Sequence, residues 1–121
     1  MSTTPIHTDK LLSLILTTLD DHKAIDVKHF DVKHLTDVTD HVIVCTATSK
    51  RHALTLTDKV STIAKQNGEK PLSSENDDSC EWMLIDFVDV VVHIMLANTR
   101  EFYSIEKLWN MTESKRNEQQ S

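Results

Sequence analysis

The apolar positions of this chain change their period several times, and each change marks an element. Leu11, Leu12, Ile15, Leu16 and Leu19 recur at helical spacing, which predicts a helix over residues 8–21 with Thr8 placed to cap it. IDVKHFDV, residues 25–32, alternates loosely and reads as a short strand. DHVIVCTA, residues 40–47, contains a continuous apolar run, the pattern of a strand buried on both faces. Ala53, Leu56, Val60, Ile63 and Ala64 form one stripe of a second helix over 50–67, capped by Ser49 and stopped by Asn67-Gly68. Residues 73–79 are polar and read as a turn. Two strands follow, 81–86 and 89–96, close enough to form a hairpin. Asn98 followed by Glu101 has the spacing of a capping box for a last helix over 99–109, which would pack through Phe102, Ile105, Leu108 and Trp109.

The order α-β-β-α-β-β-α implies an α/β domain, a mixed sheet flanked by helices. Parallel neighbours are expected where the helix over 50–67 joins two strands. No repeat or linker divides the chain, so residues 1–110 read as a single domain and 111–121 as a frayed tail.

Composition narrows the classes of function. The 121 residues suffice to bury a core, and the 39% apolar and 26% charged content is that of a globular domain. No run approaches the roughly 20 apolar residues of a membrane span. MSTTPIHTDK has neither the basic nor the apolar region of a signal peptide, so a cytoplasmic location is expected. The formal charge of −6 argues against an affinity built on phosphate contacts and favours a basic partner or a small molecule. Gly68 is the single glycine, which excludes every phosphate-cradling loop that needs several. Cys45 and Cys80 lack metal or redox spacing and read as structural.

The most unusual stretch is EWMLIDFVDVVVHIM, residues 81–95, with two aspartates and one histidine in an otherwise apolar run. Asp86 and Asp89 could hold a divalent cation or divide acid and base roles. Their place at strand ends, beside Phe87-Val88, instead suits aspartates that bond turn amides. His93 reads as a satisfied strand residue. His29, Asp31 and His34 could ligate a metal, but three donors without a fourth partner make a weak set. No nucleophile sits in a recognisable elbow. The residues by themselves indicate no enzyme.

Several segments carry a resemblance instead. Asp40-His41-Val42-Ile43-Val44-Cys45, Ser49-Lys50-Arg51-His52, Lys70-Pro71-Leu72 and Glu81-Trp82 occur in order. Asp89-Val90-Val91-Val92-His93-Ile94-Met95 then precedes Arg100-Glu101-Phe102-Tyr103-Ser104-Ile105-Glu106-Lys107-Leu108-Trp109. Over about Leu11 to Trp109 the chain resembles the bacterial ribosomal silencing factor, or Iojap-like, family. The resemblance implies a fold similar to nucleotidyltransferases without their working site, no cofactor and no metal. It also implies a non-enzymatic translational repressor that binds ribosomal protein fourteen of the large subunit and blocks subunit joining when nutrients are scarce. Little direct nucleic-acid contact is then expected; a homodimer is possible under this reading.

Under that resemblance the partner interface is expected at Trp82, Leu84, Asp86, Asp89, Val91 and Met95. Trp82 is the type of large, rigid side chain that anchors interfaces, and Leu84 and Asp86 would share its side of a strand. Two other readings stay open. One is a nucleotidyltransferase-type enzyme with Mg²⁺ on Asp86 and Asp89, although residues three apart do not automatically share a strand face. The other is a homodimeric scaffold with a different partner. The chain departs from the family pattern at Thr46-Ala47, where Ser-Gly is usual, at Glu75-Asn76, where Glu-Gly is usual, and at Val88-Asp89, where Gly-Asp is usual. A valine would be strained in a turn that needs positive φ, so the turn at Val88 is expected to differ from the family's.

Overall fold

The computed structural model describes residues 6–33, 37, 39–76, 79 and 81–103. Its elements are α1 (Ile6–Asp21), β1 (Ile25–Asp31), β2 (His41–Ala47), α2 (Lys50–Gln66), β3 (Ser73–Asn76), β4 (Trp82–Asp86), β5 (Val90–Leu96) and α3 (Ala97–Tyr103). The strands form one sheet in the order β1-β2-β5-β4-β3. Only β2 and β5 run parallel; every other neighbouring pair is antiparallel.

The pairing follows from the connections. α2 carries the chain from β2 across to the far edge, and β3, β4 and β5 then meander back, which sets β5 beside β2 in the same direction. β2 is therefore central, and all seven of its residues are buried, as its continuous apolar run predicts. One sheet face is covered by α1 and α2, where Ile43, Cys45, Ile85, Val92 and Ile94 meet Leu11, Ile15, Leu19, Leu56 and Val60. The other face carries a smaller cluster of Val42, Val44, Met95 and Val32, with Phe30 and Trp82 packed against it.

α2 is closed at both ends as its sequence indicates. The Ser49 Oγ accepts from the His52 N–H at 3.1 Å. At the other end, the Asn67 and Gly68 amides donate to the Ala64 and Lys65 carbonyls, with Gly68 at φ +80°.

Four expectations are corrected. Residues 73–76 form an edge strand paired with β4 rather than a turn. All four are exposed, so backbone pairing holds them and no apolar alternation announces them. Thr8 lies inside α1, which starts at Ile6; its hydroxyl is wholly buried and donates to Asp89 Oδ2 at 3.1 Å instead of capping the helix. Asn98 likewise lies inside α3, because that helix starts at Ala97 directly after β5 and leaves no loop for a cap.

The fourth correction is the turn at Val88, which keeps the glycine-type geometry with a valine in it. Val88 has φ +76°, and the Asp89 N–H donates to the Phe87 carbonyl at 3.0 Å, the signature of the rare positive-φ γ-turn. Val88 tolerates it because the frame is over-determined. The Phe87 N–H donates to the Val90 carbonyl at 2.8 Å, and Asp86 Oδ1 accepts from the Val88 N–H at 2.8 Å. The later part of the helix expected over 99–109 and the tail at 111–121 lie outside the described residues, as do His34 and Cys80.

Candidate partner-binding face

Strand alternation and register place five of the six expected interface residues on the sheet face opposite α1 and α2. Directly paired residues point to one side of a sheet, so the rows can be read from the register. Thr46, Met95 and Trp82 form one row across β2, β5 and β4; Val44, His93 and Leu84 form the next; Val42, Val91 and Asp86 form the third. Trp82, Leu84, Asp86, Val91 and His93 are half-buried, while Met95 is 0% exposed and lies beneath the surface.

Asp89 is the residue that this face does not include. Its backbone carbonyl accepts from the Asp40 and His41 amides at 3.1 and 3.0 Å, tying the start of β5 to the start of β2. Its carboxylate accepts from Thr8 of α1. Asp86, by contrast, caps its own turn at the Val88 amide. The two carboxylates thus bond to different elements. Among the described residues there is no group of three or more side chains able to hold a metal ion.

Trp82 is fixed by a partner that its sequence neighbourhood did not indicate. Its indole Nε1–H donates to His93 Nδ1 at 3.0 Å, with ring centroids 5.8 Å apart at 47°. A ring nitrogen that accepts must be unprotonated, so the proton of this imidazole sits on Nε2. Burial among Leu84, Val44 and Trp82 pushes the His93 pKa down to about 4, which keeps it neutral. On the far side of the indole, Trp82, Leu84, Glu75 and Asn76 line an open notch of about 160 Å³.

The other sequence candidates have structural partners. His29 Nε2 lies 3.0 Å from His41 Nδ1, and burial together with that neighbour lowers the His29 pKa. Asp31 is engaged with Lys33 through both the Lys33 amide and its ammonium. A groove of about 390 Å³ opens beside the start of α2, lined by His22, Lys23, Ser49, Arg51 and His52. There His52 donates from Nε2 to the His22 carbonyl at 2.8 Å and accepts the Thr48 amide at Nδ1, so the Ser49–His52 motif closes a loop. Arg100 of α3 is 6% exposed and donates to the Asp26 carbonyl at 2.7 Å and to Thr46 Oγ1 at 2.9 Å.

The family described as "ribosomal silencing factor during starvation" matches residues 5–121. The chain belongs to the ribosomal silencing factor family. A ribosomal silencing factor of Haemophilus influenzae is 36% identical over 99 residues, covering 82% of this chain and 97% of that protein. The crystal structure of a Chromobacterium violaceum protein superposes with a TM-score of 0.81 at 36% identity, over 84% of this chain and 85% of that one. A mouse protein named "mitochondrial assembly of ribosomal large subunit protein 1" is 28% identical over 103 residues, which span 83% of this chain and 45% of the mouse protein. The α/β fold expected from the sequence is the fold of this family's solved structure.

Proposed function

We propose that this silencing factor binds the large ribosomal subunit through ribosomal protein fourteen, blocks joining of the small subunit and so represses translation when nutrients are scarce. The observation that carries the reading is the sheet face opposite α1 and α2. Trp82, Leu84 and Val91 stand together there, an aromatic anchor with aliphatic neighbours, and Asp86 stands at the edge. Strands hold these groups more rigidly than a loop would, which lowers the cost of association.

Charge supports the same partner. A chain of net charge −6 complements a basic ribosomal protein and is repelled by the surrounding RNA phosphate, so protein contacts dominate over nucleic-acid contacts. No cofactor enters this function, and its place is the cytoplasm, where ribosomal subunits meet. The half-buried Asp86 and the bound-down Asp89 act through shape and hydrogen bonding rather than chemistry.

Sedimentation of lysate containing the tagged protein tests the proposal. The protein should travel with free large subunits and be depleted from small subunits and translating ribosomes. Purified large subunits loaded with it should lose the capacity to form whole ribosomes on addition of small subunits. Recovery only in the protein-only fractions, or undiminished subunit joining, would overturn the proposal.

A further inference from the structure

We infer that His93 is the positioning residue of the partner-binding face: it holds the Trp82 indole turned toward β5, so that the notch on the β3 side stays open for a side chain of the partner. The inference rests on the proposed binding to ribosomal protein fourteen and adds to it how the anchor is preorganised.

Strand order supplies the geometry. β4, which carries Trp82, lies between β5 with His93 and β3 with Glu75. His93 pairs directly with Leu84, two residues along from Trp82, and is therefore the diagonal neighbour that a long indole reaches. The 3.0 Å bond to Nδ1 draws the indole N–H to the β5 side. On the opposite side, Glu75 and Asn76 line the notch together with the ring itself. Glu75 pairs with Leu84 and so shares the face of Trp82, which makes its carboxylate a competing acceptor for the same N–H. A ring turned toward Glu75 would fill the notch. A neutral imidazole on β5 selects the orientation that leaves the notch as a socket.

The role is distinct from packing. Leucine at position 93 would fill much of the space but offer no acceptor, whereas asparagine places an oxygen close to where Nδ1 stands. Freeing a side chain that binding must then immobilise weakens association by about two- to tenfold.

The experiment compares wild type, His93→Leu and His93→Asn. Each is measured for affinity toward purified ribosomal protein fourteen, for thermal melting, and for solvent exchange of the Trp82 indole N–H by NMR. In wild type that N–H should exchange slowly. In His93→Leu it should exchange fast and affinity should fall about two- to tenfold, while the asparagine variant restores both. Fast indole exchange in the wild type overturns the inference without needing any variant. So does unchanged affinity of a folded His93→Leu protein, or a loss that asparagine fails to rescue. If wild type does not bind ribosomal protein fourteen at all, the functional proposal falls and this inference falls with it. A wild type that binds but does not depend on His93 refutes the inference alone.

Discussion

Lowering the pH from about 7 to about 4 should remove roughly 3 kcal/mol of stability through His93 alone. The folded environment holds this imidazole at a pKa of about 4, against an ordinary value of 6.5. Above 6.5 it is neutral in both folded and unfolded chains and contributes nothing to the pH dependence. As the pH falls below 6.5 the unfolded chain takes up a proton that the folded chain refuses, so stability declines until the pH reaches about 4 and then levels off. A gap of about 2.5 units at 1.36 kcal/mol each gives the magnitude. Against a total of roughly 5–15 kcal/mol for a small domain, that is a large share. The physical cause is burial, which disfavours the charged form: His93 stands between Val44 and Leu84 and bonds a Trp82 N–H that only an unprotonated nitrogen can accept. Urea titrations of wild type and His93→Asn across this range isolate the effect in the difference between the two curves. His29, which also titrates low, lies on the opposite face and largely cancels in that difference. Parallel curves would show that His93 is solvated or charge-compensated and would refute the reasoning.

Other perturbations have definite signs. At Val88, with φ +76°, Val88→Gly should be more stable than Val88→Ala by roughly 0.5–1 kcal/mol in chemical denaturation, the reverse of the usual order, because positive φ penalises any Cβ. Arg100→Met should cost about 2–3 kcal/mol, since it strips the partner from a buried Thr46 hydroxyl and from the Asp26 carbonyl. Asp26→Asn should cost only a few tenths of a kcal/mol, because that carboxylate is more than half exposed and its ion pair with Arg100 is long at 3.5 Å. Trp82→Ala should weaken binding to ribosomal protein fourteen by about thirtyfold or more, a loss of at least 2 kcal/mol. It should lower stability by less than the roughly 3–5 kcal/mol of a fully buried tryptophan. A variant that melts normally and binds normally would remove Trp82 from the interface.

Local pattern alone dictates much of this protein's secondary structure. The run in VIVC dictated a central strand buried on both sides, since nothing polar interrupts it. The stripe Ala53, Leu56, Val60, Ala64 and the Ser49 cap dictated α2, because both are interactions among residues a turn or two apart. Alternation along β4 was enough to set Trp82, Leu84 and Asp86 on one side. Other features depend on partners far along the chain, and no local pattern encodes them. Edge strand β3 exists because β4 offers its backbone, and SSEN has no apolar face to reveal it. Thr8 is a partner of Asp89 across the fold rather than a cap. Asp86 and Asp89, three apart, look like a pair in sequence, yet the turn between them sends one carboxylate to its own amide and the other to α1. The register of β4 on β5 alone brings the Trp82 indole to His93, eleven residues away, because an antiparallel slip by one residue would have put them on opposite faces.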